Sequence, residues 1–482
     1  MKNEIIYPGQ DQFYKGKVRD LYYIGNVIVA KTSDRVSAYD VVLPIEIPKK
    51  GNILNLISAY NFEQTKDIIQ NCLLEIPAPN TSIWLKTIPF KFEVIVRAYN
   101  TGSFYKKYNK TKTNPWGYDY VDESRNHNGK LPFLFVTPTT KAEQGHDVDI
   151  SSKDIIKLGL ATEKEWRYIF ATAIKLFERG QKLADEKNLI LVDTKYEFGK
   201  TKDGGIYLID EVHTPDSSRY WIKDSFDKDN NPVALSKEFL REYLISKGFE
   251  GKDGQIVPDI DEDTIKIVSD KYLKLFNLII PEDHKFYWEV SNVYEENKIE
   301  ESILKSLQEV RFKIEGPKVS VVMGSLSDLP IMQEAIAVLE KADVVVEVGI
   351  VSAHRTPDKL TKYAQNLLDR GVKVVIAGAG GAAHLPGMIA ANTILPVIGV
   401  PVNSSKSIDG WDSILSILQM PAGVPVATMA RDGAENAGLL ALQILATNDT
   451  WLTNYLLDFK NQLKDKVSAM QEKVNENYFF GG

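Results

Sequence analysis

Six short stretches in the first half of this chain carry charged side chains at spacings that could handle a phosphorylated nucleotide and a divalent cation. VDTKYEFG sets Asp193, Lys195 and Glu197 at alternate positions, so a strand would turn all three to one side. LIDEVHTPDSSR adds Asp210, Glu211, Asp216 and Arg219. EVIVRAYNTGS places Arg97 at a strand end and Ser103 just after a glycine, the outline of a phosphate clamp. The basic turn YKGKVRD brings Lys15, Gly16, Lys17 and Arg19 ahead of a strand pair, where it could fold over a nucleotide's phosphates. SDRVSAYD holds Asp34, Arg35 and Asp40, and KAEQGHD ends in His146 and Asp147. Carboxylates from neighbouring strands suit a magnesium–ATP site, because the metal takes few hard oxygens from protein and bridges the phosphates. Any one stretch alone reads as a solvated hairpin with surface ion pairs; six together do not.

The C-terminal third carries a different set. VVMGSLSD, VGIVSAHRTP and VVIAGAGGAAHLPGM each put a turn directly after an apolar run. They gather Ser325, Ser327, Asp328, His354, Arg355, Gly380 and His384 at the ends of successive expected strands, the edge where an open parallel sheet binds ligands. Glycines there let backbone N–H groups approach a phosphate. An imidazole suits moving one proton on and off a substrate carbon. Gly378 to Ala383 fits the loose dinucleotide fingerprint, but it follows the third strand of its domain, and no acidic residue ends the next strand, PVIGVPVNSS. Gly199-Lys200-Thr201 resembles the end of a phosphate-binding loop, yet position 194 is threonine where a glycine is required, and FGKTKDGG reads as a hairpin turn. Neither a dinucleotide cofactor nor a metal cluster is expected in the C-terminal part.

These side chains need two kinds of scaffold. Residues 1–280 read as α+β, with short alternating runs such as LYYIGNVIVAKTSD and helical stretches such as EKEWRYIFATAIKLFERGQKLADEKN. Residues 281–316 form a connection in which Ile299, Ile303, Leu304, Leu307 and Val310 fall at helical spacing, so a helical linker is expected. Residues 317–482 alternate strand, turn and helix, the signature of a doubly wound α/β domain with a parallel sheet. A final helix over 451–475 carries an apolar stripe that could pack on another subunit.

The chain's 482 residues suggest about three domains. The hydrophobic fraction of 44% and charged fraction of 26% are those of a soluble globular protein. A net charge of −7 implies no general affinity for nucleic acid or anionic membrane, and no apolar run reaches spanning length. The single cysteine, Cys72, reads as a packing residue and fits a reducing, cytoplasmic compartment.

At GSLSD, SAHRTP, AGAGGAAHLPGM, PVIGVPV and QMPAGVPVATMA the sequence resembles the N5-carboxyaminoimidazole ribonucleotide (N5-CAIR) mutases of purine biosynthesis, over about 319–445. The resemblance implies a flavodoxin-like fold, no metal and no cofactor, and transfer of a carboxyl group from the exocyclic amine to the ring carbon, giving CAIR. It implies His354 as general acid/base and Ser325, Ser327, Asp328, Arg355, Gly380 and His384 as residues that bind or orient the nucleotide. Leu329 stands where family members often have tryptophan. The family's octameric assembly implies a homo-oligomer through this domain. A separate ATP-dependent enzyme would supply N5-CAIR.

Over about 10–280, SDRVSAYD, VIVRAYNTGS, TPTTKAEQG, DTKYEFG and DEVHTPDSSR resemble the SAICAR synthetases, the yeast-type branch especially. That implies an ATP-grasp-related fold and the ATP-dependent joining of CAIR to L-aspartate. Carried over, Lys15, Gly16, Lys17 and Arg19 touch ATP, and Glu197 and Asp210 hold Mg2+. Arg97, Ser103 and Arg219 clamp the ribonucleotide phosphate, Lys195 lies near the substrate, and His146 and Asp147 lie near the aspartate or the carboxylate. Some relatives have lysine at position 19. The expectation is a fused bifunctional enzyme whose C-terminal domain makes CAIR and whose N-terminal domain consumes it. Two rivals stand beside it: a C-terminal domain that carboxylates aminoimidazole ribonucleotide (AIR) directly with carbon dioxide, and one that only assembles or senses nucleotide.

Overall fold

The computed structural model describes residues 6–477 except 40, 112–115, 117–125, 142–147, 230–231, 253, 292–294 and 405–406. Asp40, His146 and Asp147 lie outside the described residues. The chain divides into two compact units, one of residues 14–21 and 27–303, the other of Leu304 onward with two short N-terminal pieces.

The larger unit is α+β. Its central strand, Leu189–Lys200, changes partners along its length. The first half lies between Phe92–Tyr99 and Ser218–Ile222, and the second half pairs with Ile206–Ile209, all antiparallel. Lys130–Thr140 extends the sheet beyond Phe92–Tyr99. In a second antiparallel sheet Val27–Thr32 pairs with Thr81–Leu85, which pairs with Leu73–Ala78. The helix Glu163–Asp185 starts at a capping box, where the Thr162 hydroxyl accepts from the Glu165 amide and the Glu165 carboxylate accepts from Thr162. It buries Trp166, Ile169, Ala173, Leu176 and Phe177 at helical spacing and packs on the central strand. Gly180 permits that approach, since a Cβ there would come within 2.5 Å of the His213 ring and 2.7 Å of Leu191. Gly199 and Lys200 face Tyr207 and Ile206 across a hairpin that Thr201 and Gly205 close, so the GKT string is a turn and not a phosphate-binding loop.

The smaller unit is doubly wound. Five parallel strands run in the order Val346–Ile350, Val319–Met323, Val374–Gly380, Val397–Val402, Ala427–Thr428. Every residue of Val319–Met323 and of Val397–Val402 is buried, because helices cover both faces. Leu329–Lys341 and Ala434–Ala446 pack Met332, Ala335, Leu339, Ala437 and Ala441 on one face. Leu360, Ala364, Leu385, Ile389 and Ile417 cover the other. The connecting region becomes the helix Glu296–Glu315, which buries Ile303, Leu307 and Val310. The final helix runs Thr450–Asn477. Among the described residues no helix is long and apolar enough to cross a membrane.

Candidate active sites

Strand register builds the first site. Asp193 on the central strand lies opposite Arg97 on one side and opposite Arg219 on the other. Both arginines reach its carboxylate: Arg97 Nη1 lies 3.5 Å from Oδ2, and Arg219 Nη1 donates to the same oxygen. Arg97 Nε donates to Thr137 Oγ1 at 2.9 Å, and Arg219 donates through Nε and Nη2 to Glu238 at 3.3 and 2.9 Å. Burial holds the Arg97 guanidinium below its ordinary pKa, with Asp193 opposing and Arg219 adding to the fall. Beside the pair, Gly102 takes φ +60°, where a Cβ would meet Arg219 Nη2 at 2.6 Å. Ser103 follows in the first turn of the Gly102–Thr111 helix with an exposed side chain. Two crowded guanidiniums beside a helix start suit a phosphate.

Two and four residues further along the same strand, Lys195 and Glu197 share the face of Asp193, as the alternation predicts. Lys195 Nζ donates to Glu93 at 2.8 Å and to Glu197 at 3.0 Å, and Lys141 donates to the second Glu197 oxygen. Burial works against the charge on Lys195, but Glu197, Glu93 and Asp210 outweigh it and hold the ammonium well above the usual lysine range. Burial would raise Glu197 as well, yet Lys195 and Lys141 bring it well below the usual carboxylate range. Glu93 goes the other way: burial lifts it to about 7 against the pull of Lys195, with Glu197 adding to the rise. One low and one high carboxyl around a single ammonium is an unequal pair set by environment.

Asp210 follows the Ile206–Ile209 strand with φ +66°, and Arg19 donates to it. Arg19 Nη2 lies 3.6 Å from Glu211, its guanidinium sits 5.0 Å from the Trp84 ring, and the side chain is buried. Arg19 therefore faces the acidic end of the site, apart from Lys15 and Lys17, which are exposed on the turn. That turn is pinned from below. Arg35 donates to Gly16 O, to Lys17 O and twice to Asp20, and a Cβ on Gly16 would meet Arg19 O at 2.4 Å. Asp34 accepts from the Lys49 and Gly51 amides at the start of the Lys50–Thr65 helix, so it shapes the site without lining it. Among the described residues no group of three or more His, Cys, Asp or Glu side chains is arranged to hold a metal unaided. Glu197 and Asp210 offer hard oxygens that already face cations, a donor set that fits an ion completing its shell with phosphate and water.

The second site is the C-terminal edge of the parallel sheet. His354 Nε2 and His384 Nδ1 lie 2.8 Å apart, from turns that follow Val346–Ile350 and Val374–Gly380. Arg355 Nη2 donates to Gly324 O at 3.4 Å, tying the turn after Val346–Ile350 to the turn after Val319–Met323. The Ser325 hydroxyl accepts from the Ser327 amide, and Ser327 Oγ donates to Asp328 Oδ1 at 3.3 Å. Asp328 is buried, and that raises its carboxyl against the pull of the Ser327 hydroxyl. Gly380 cannot carry a side chain, since a Cβ would meet Ser404 Cβ at 2.8 Å. Gly381, at φ +67°, donates its amide to the buried Ser413 hydroxyl at 2.8 Å. Thr356 precedes the Pro357–Gln365 helix, but its hydroxyl donates back to Ser352 O rather than capping the helix.

Ser325, Ser327, Asp328, His354, Arg355 and His384 all lie on the turns at this edge of the sheet. Glu93, Lys141, Glu238 and Ser413 were not singled out in the sequence. Glu93 had a signal, sharing the alternation of Arg97 in FEVIVRAY; Glu238 and Ser413 sit on helices with no motif.

Residues 12–256 match the SAICAR synthetase family, and residues 318–466 match the AIR carboxylase family. The phosphoribosylaminoimidazole-succinocarboxamide synthase of Cytophaga hutchinsonii is 45% identical over 304 residues, 62% of this chain and 95% of that protein. Its counterpart in Bacteroides thetaiotaomicron is 45% identical over 313 residues, 64% of this chain and 98% of that protein. The SAICAR synthase of Saccharomyces cerevisiae, solved in complex with SAICAR, is 29% identical with a TM-score of 0.51, covering 59% of this chain and 99% of that one.

Proposed function

The chain belongs to the SAICAR synthetase family and carries an AIR carboxylase family domain fused behind it, and from this we propose that it runs two consecutive steps of purine biosynthesis. The C-terminal domain converts N5-CAIR to CAIR. The N-terminal domain joins CAIR to L-aspartate, releasing ADP and phosphate.

A carboxylate is a poor electrophile, so the ligase first makes it a better one. A carboxylate oxygen of CAIR bonds the γ-phosphorus of ATP and ADP leaves. The aspartate nitrogen then bonds the carboxyl carbon, inorganic phosphate leaves, and the nitrogen gives up a proton. Arg97, Arg219 and Ser103 hold the ribonucleotide phosphate, and Lys15, Gly16 and Lys17 cover the ATP phosphates. Lys195 sits beside the carboxylate being activated, where a firmly charged ammonium stabilises the transferring phosphoryl group. Glu197 and Asp210 would hold Mg2+, which would supply further positive charge to the phosphates. Arg19 orients Asp210. The observation that carries this reading is the register that sets Arg97 and Arg219 across Asp193, on the same strand face as Lys195 and Glu197.

In the mutase, the carbamate nitrogen takes a proton as carbon dioxide leaves it, the ring carbon bonds the carbon dioxide, and the proton on that carbon is removed. His354 takes and returns the proton while His384 holds its ring by the 2.8 Å contact. Small residues at 378–383 leave room for a trapped carbon dioxide. Asp328, Ser325, Ser327, Arg355 and Gly380 bind the nucleotide. The domain needs no cofactor, the enzyme is cytoplasmic, and a separate ATP-dependent enzyme supplies N5-CAIR. The deciding experiment compares N5-CAIR with AIR plus modest bicarbonate at equal nucleotide. Faster CAIR formation from N5-CAIR is expected. Comparable or faster formation from AIR and bicarbonate would promote direct carboxylation.

A further inference from the structure

Carbon dioxide is small and uncharged, so a site that keeps it between two bonds must do so with walls rather than with charge. The turn that follows Val374–Gly380 offers few side chains for this. Gly380 and Gly381 have none, Ala382 and Ala383 have one methyl group each, and His384 closes the turn. Its shape is therefore set by what packs behind it. Ser404 lies so close that a Cβ on Gly380 would meet its Cβ at 2.8 Å and its Oγ at 3.0 Å. The buried Ser413 hydroxyl accepts from the Gly381 amide at 2.8 Å and donates to Val402 O at 3.1 Å.

Ser404 belongs to the loop that leaves the Val397–Val402 strand at the same edge of the sheet. Asn403, Ile408 and Asp409 of that loop are exposed, so it has little core of its own. Two contacts fix its ends, and both come from consecutive residues of the turn after Ala427–Thr428. Asp432 Oδ1 accepts from the Asn403 amide at 2.8 Å, and Arg431 Nη1 donates to Asp409 O at 2.7 Å. Arg431 passes over Gly410, where φ is +81° and a Cβ would meet Arg431 Cδ at 2.4 Å. The grip is carried back along the loop: the Gly410 amide donates to the Ser407 hydroxyl at 2.9 Å, and the Ser407 amide donates to Ser404 O at 2.9 Å. Asp409 and Asp432 hold φ of +49° and +58°, a region that side chains rarely adopt, so their surroundings keep both in place. The gripping turn is itself well rooted. The Met429 and Asp432 amides donate to Gly399 O and Pro401 O, and Gly433 leads into the Ala434–Ala446 helix, whose Ala434, Ala437 and Ala441 are fully buried.

We propose that Arg431 and Asp432 are positioning residues of the carboxyl-transfer site. By gripping both ends of the loop they hold Ser404 against the glycine turn, and so keep the wall that retains carbon dioxide between its release and its capture. This rests on the mutase reading. Once the carbamate nitrogen has taken its proton, the released carbon dioxide has two fates. The ring carbon bonds it and gives CAIR, or it escapes and leaves AIR. Loosening the wall shifts that partition toward AIR without slowing release.

The test supplies N5-CAIR to the full chain, to Arg431→Met and to Asp432→Gly, and measures AIR and CAIR together, with the enzyme-free loss of N5-CAIR subtracted. Glycine suits position 432 because it accepts the positive φ while removing the carboxylate. The ratio of AIR to CAIR should rise about tenfold in both variants, while N5-CAIR is consumed within about threefold of the normal rate. A change that only lowered the folded fraction would reduce both products together and leave the ratio where it was. Arg431→Lys keeps a donor for Asp409 O and should bring the ratio most of the way back. Arg431 is half-exposed, so Arg431→Met decides the matter alone if Asp432→Gly does not fold. An unchanged ratio in folded Arg431→Met overturns the assignment, whatever happens to the rate. An unaltered protein that makes no CAIR from N5-CAIR overturns the mutase reading and this role with it.

Discussion

His354 and Asp210 belong to different units, so each can be removed without touching the other's chemistry. His354→Asn should abolish carboxyl transfer, by about a hundredfold or more for a lost proton shuttle, and leave ligation of supplied CAIR near normal. Asp210→Asn should do the reverse. Separate assays of the two half-reactions on each purified variant check this, and a folded variant silenced in both would refute the two-site reading. His213 is a different kind of histidine. It is fully buried, its Nε2 lies 2.6 Å from the Tyr196 hydroxyl, and burial lowers its pKa to about 3. A base depressed from 6.5 favours the folded state above pH 6.5, and that advantage is lost as the pH falls toward 3, at about 1.4 kcal/mol per unit. His213→Leu should be the less stable protein at pH 7.5, since it leaves the buried Tyr196 hydroxyl without its partner. The gap to the unaltered chain should narrow steadily between pH 6.5 and 5 in denaturant titrations. A constant gap would show that His213 is not buried neutral.

At the scale of elements, the turn between the Phe92–Tyr99 strand and the Gly102–Thr111 helix sets where the clamp arginine can lie. Gly102→Ala puts a methyl group 2.6 Å from Arg219 Nη2 at a positive φ, and Arg219 must shift off Asp193. The KM for CAIR should rise about tenfold with the KM for ATP unchanged, read by steady-state kinetics beside a thermal melt. This element also shows what could be read in advance. The alternation of Asp193, Lys195 and Glu197 gave their common face, because a strand has no other way to place them. Likewise the apolar runs before GSLSD, SAHRTP and AGAGG gave a parallel sheet, because strands covered on both faces must be continuously apolar. The opposition of Arg97 to Asp193 was hidden, since register is fixed by packing between distant segments. Lys141 opens KAEQG with nothing to announce an ion pair with Glu197, and Glu238 comes from a helix start with no motif. The resemblance assigned Arg19 to ATP, but its side chain turns to Asp210 and Glu211, a choice of strand face that a hairpin sequence leaves open.

The whole molecule presents one long helix, Thr450–Asn477, whose Leu457, Val467 and Met470 are 56%, 65% and 63% exposed. Apolar side chains at that exposure are better placed against another surface than in water. We expect a homo-oligomer through the C-terminal domain, eight copies by the family resemblance. Light scattering on the full chain and on one ending at residue 450 checks it. The full chain should scatter as an oligomer and the shortened one as smaller particles, whereas a monomeric full chain in dilute solution would sink the proposal.

The two sites occur once each on a continuous chain, the connecting helix Glu296–Glu315 guaranteeing that neither is made without the other. Separate enzymes can be matched by making more of the slower one. Under the proposed function that adjustment is closed, because raising expression raises supply and demand for CAIR by the same factor. The standing pool of the intermediate is then governed by the ratio of two turnover numbers. Selection on flux must act on the rate constants of individual sites, and a mutation that slows the ligase alone would show itself as accumulated CAIR at any level of synthesis.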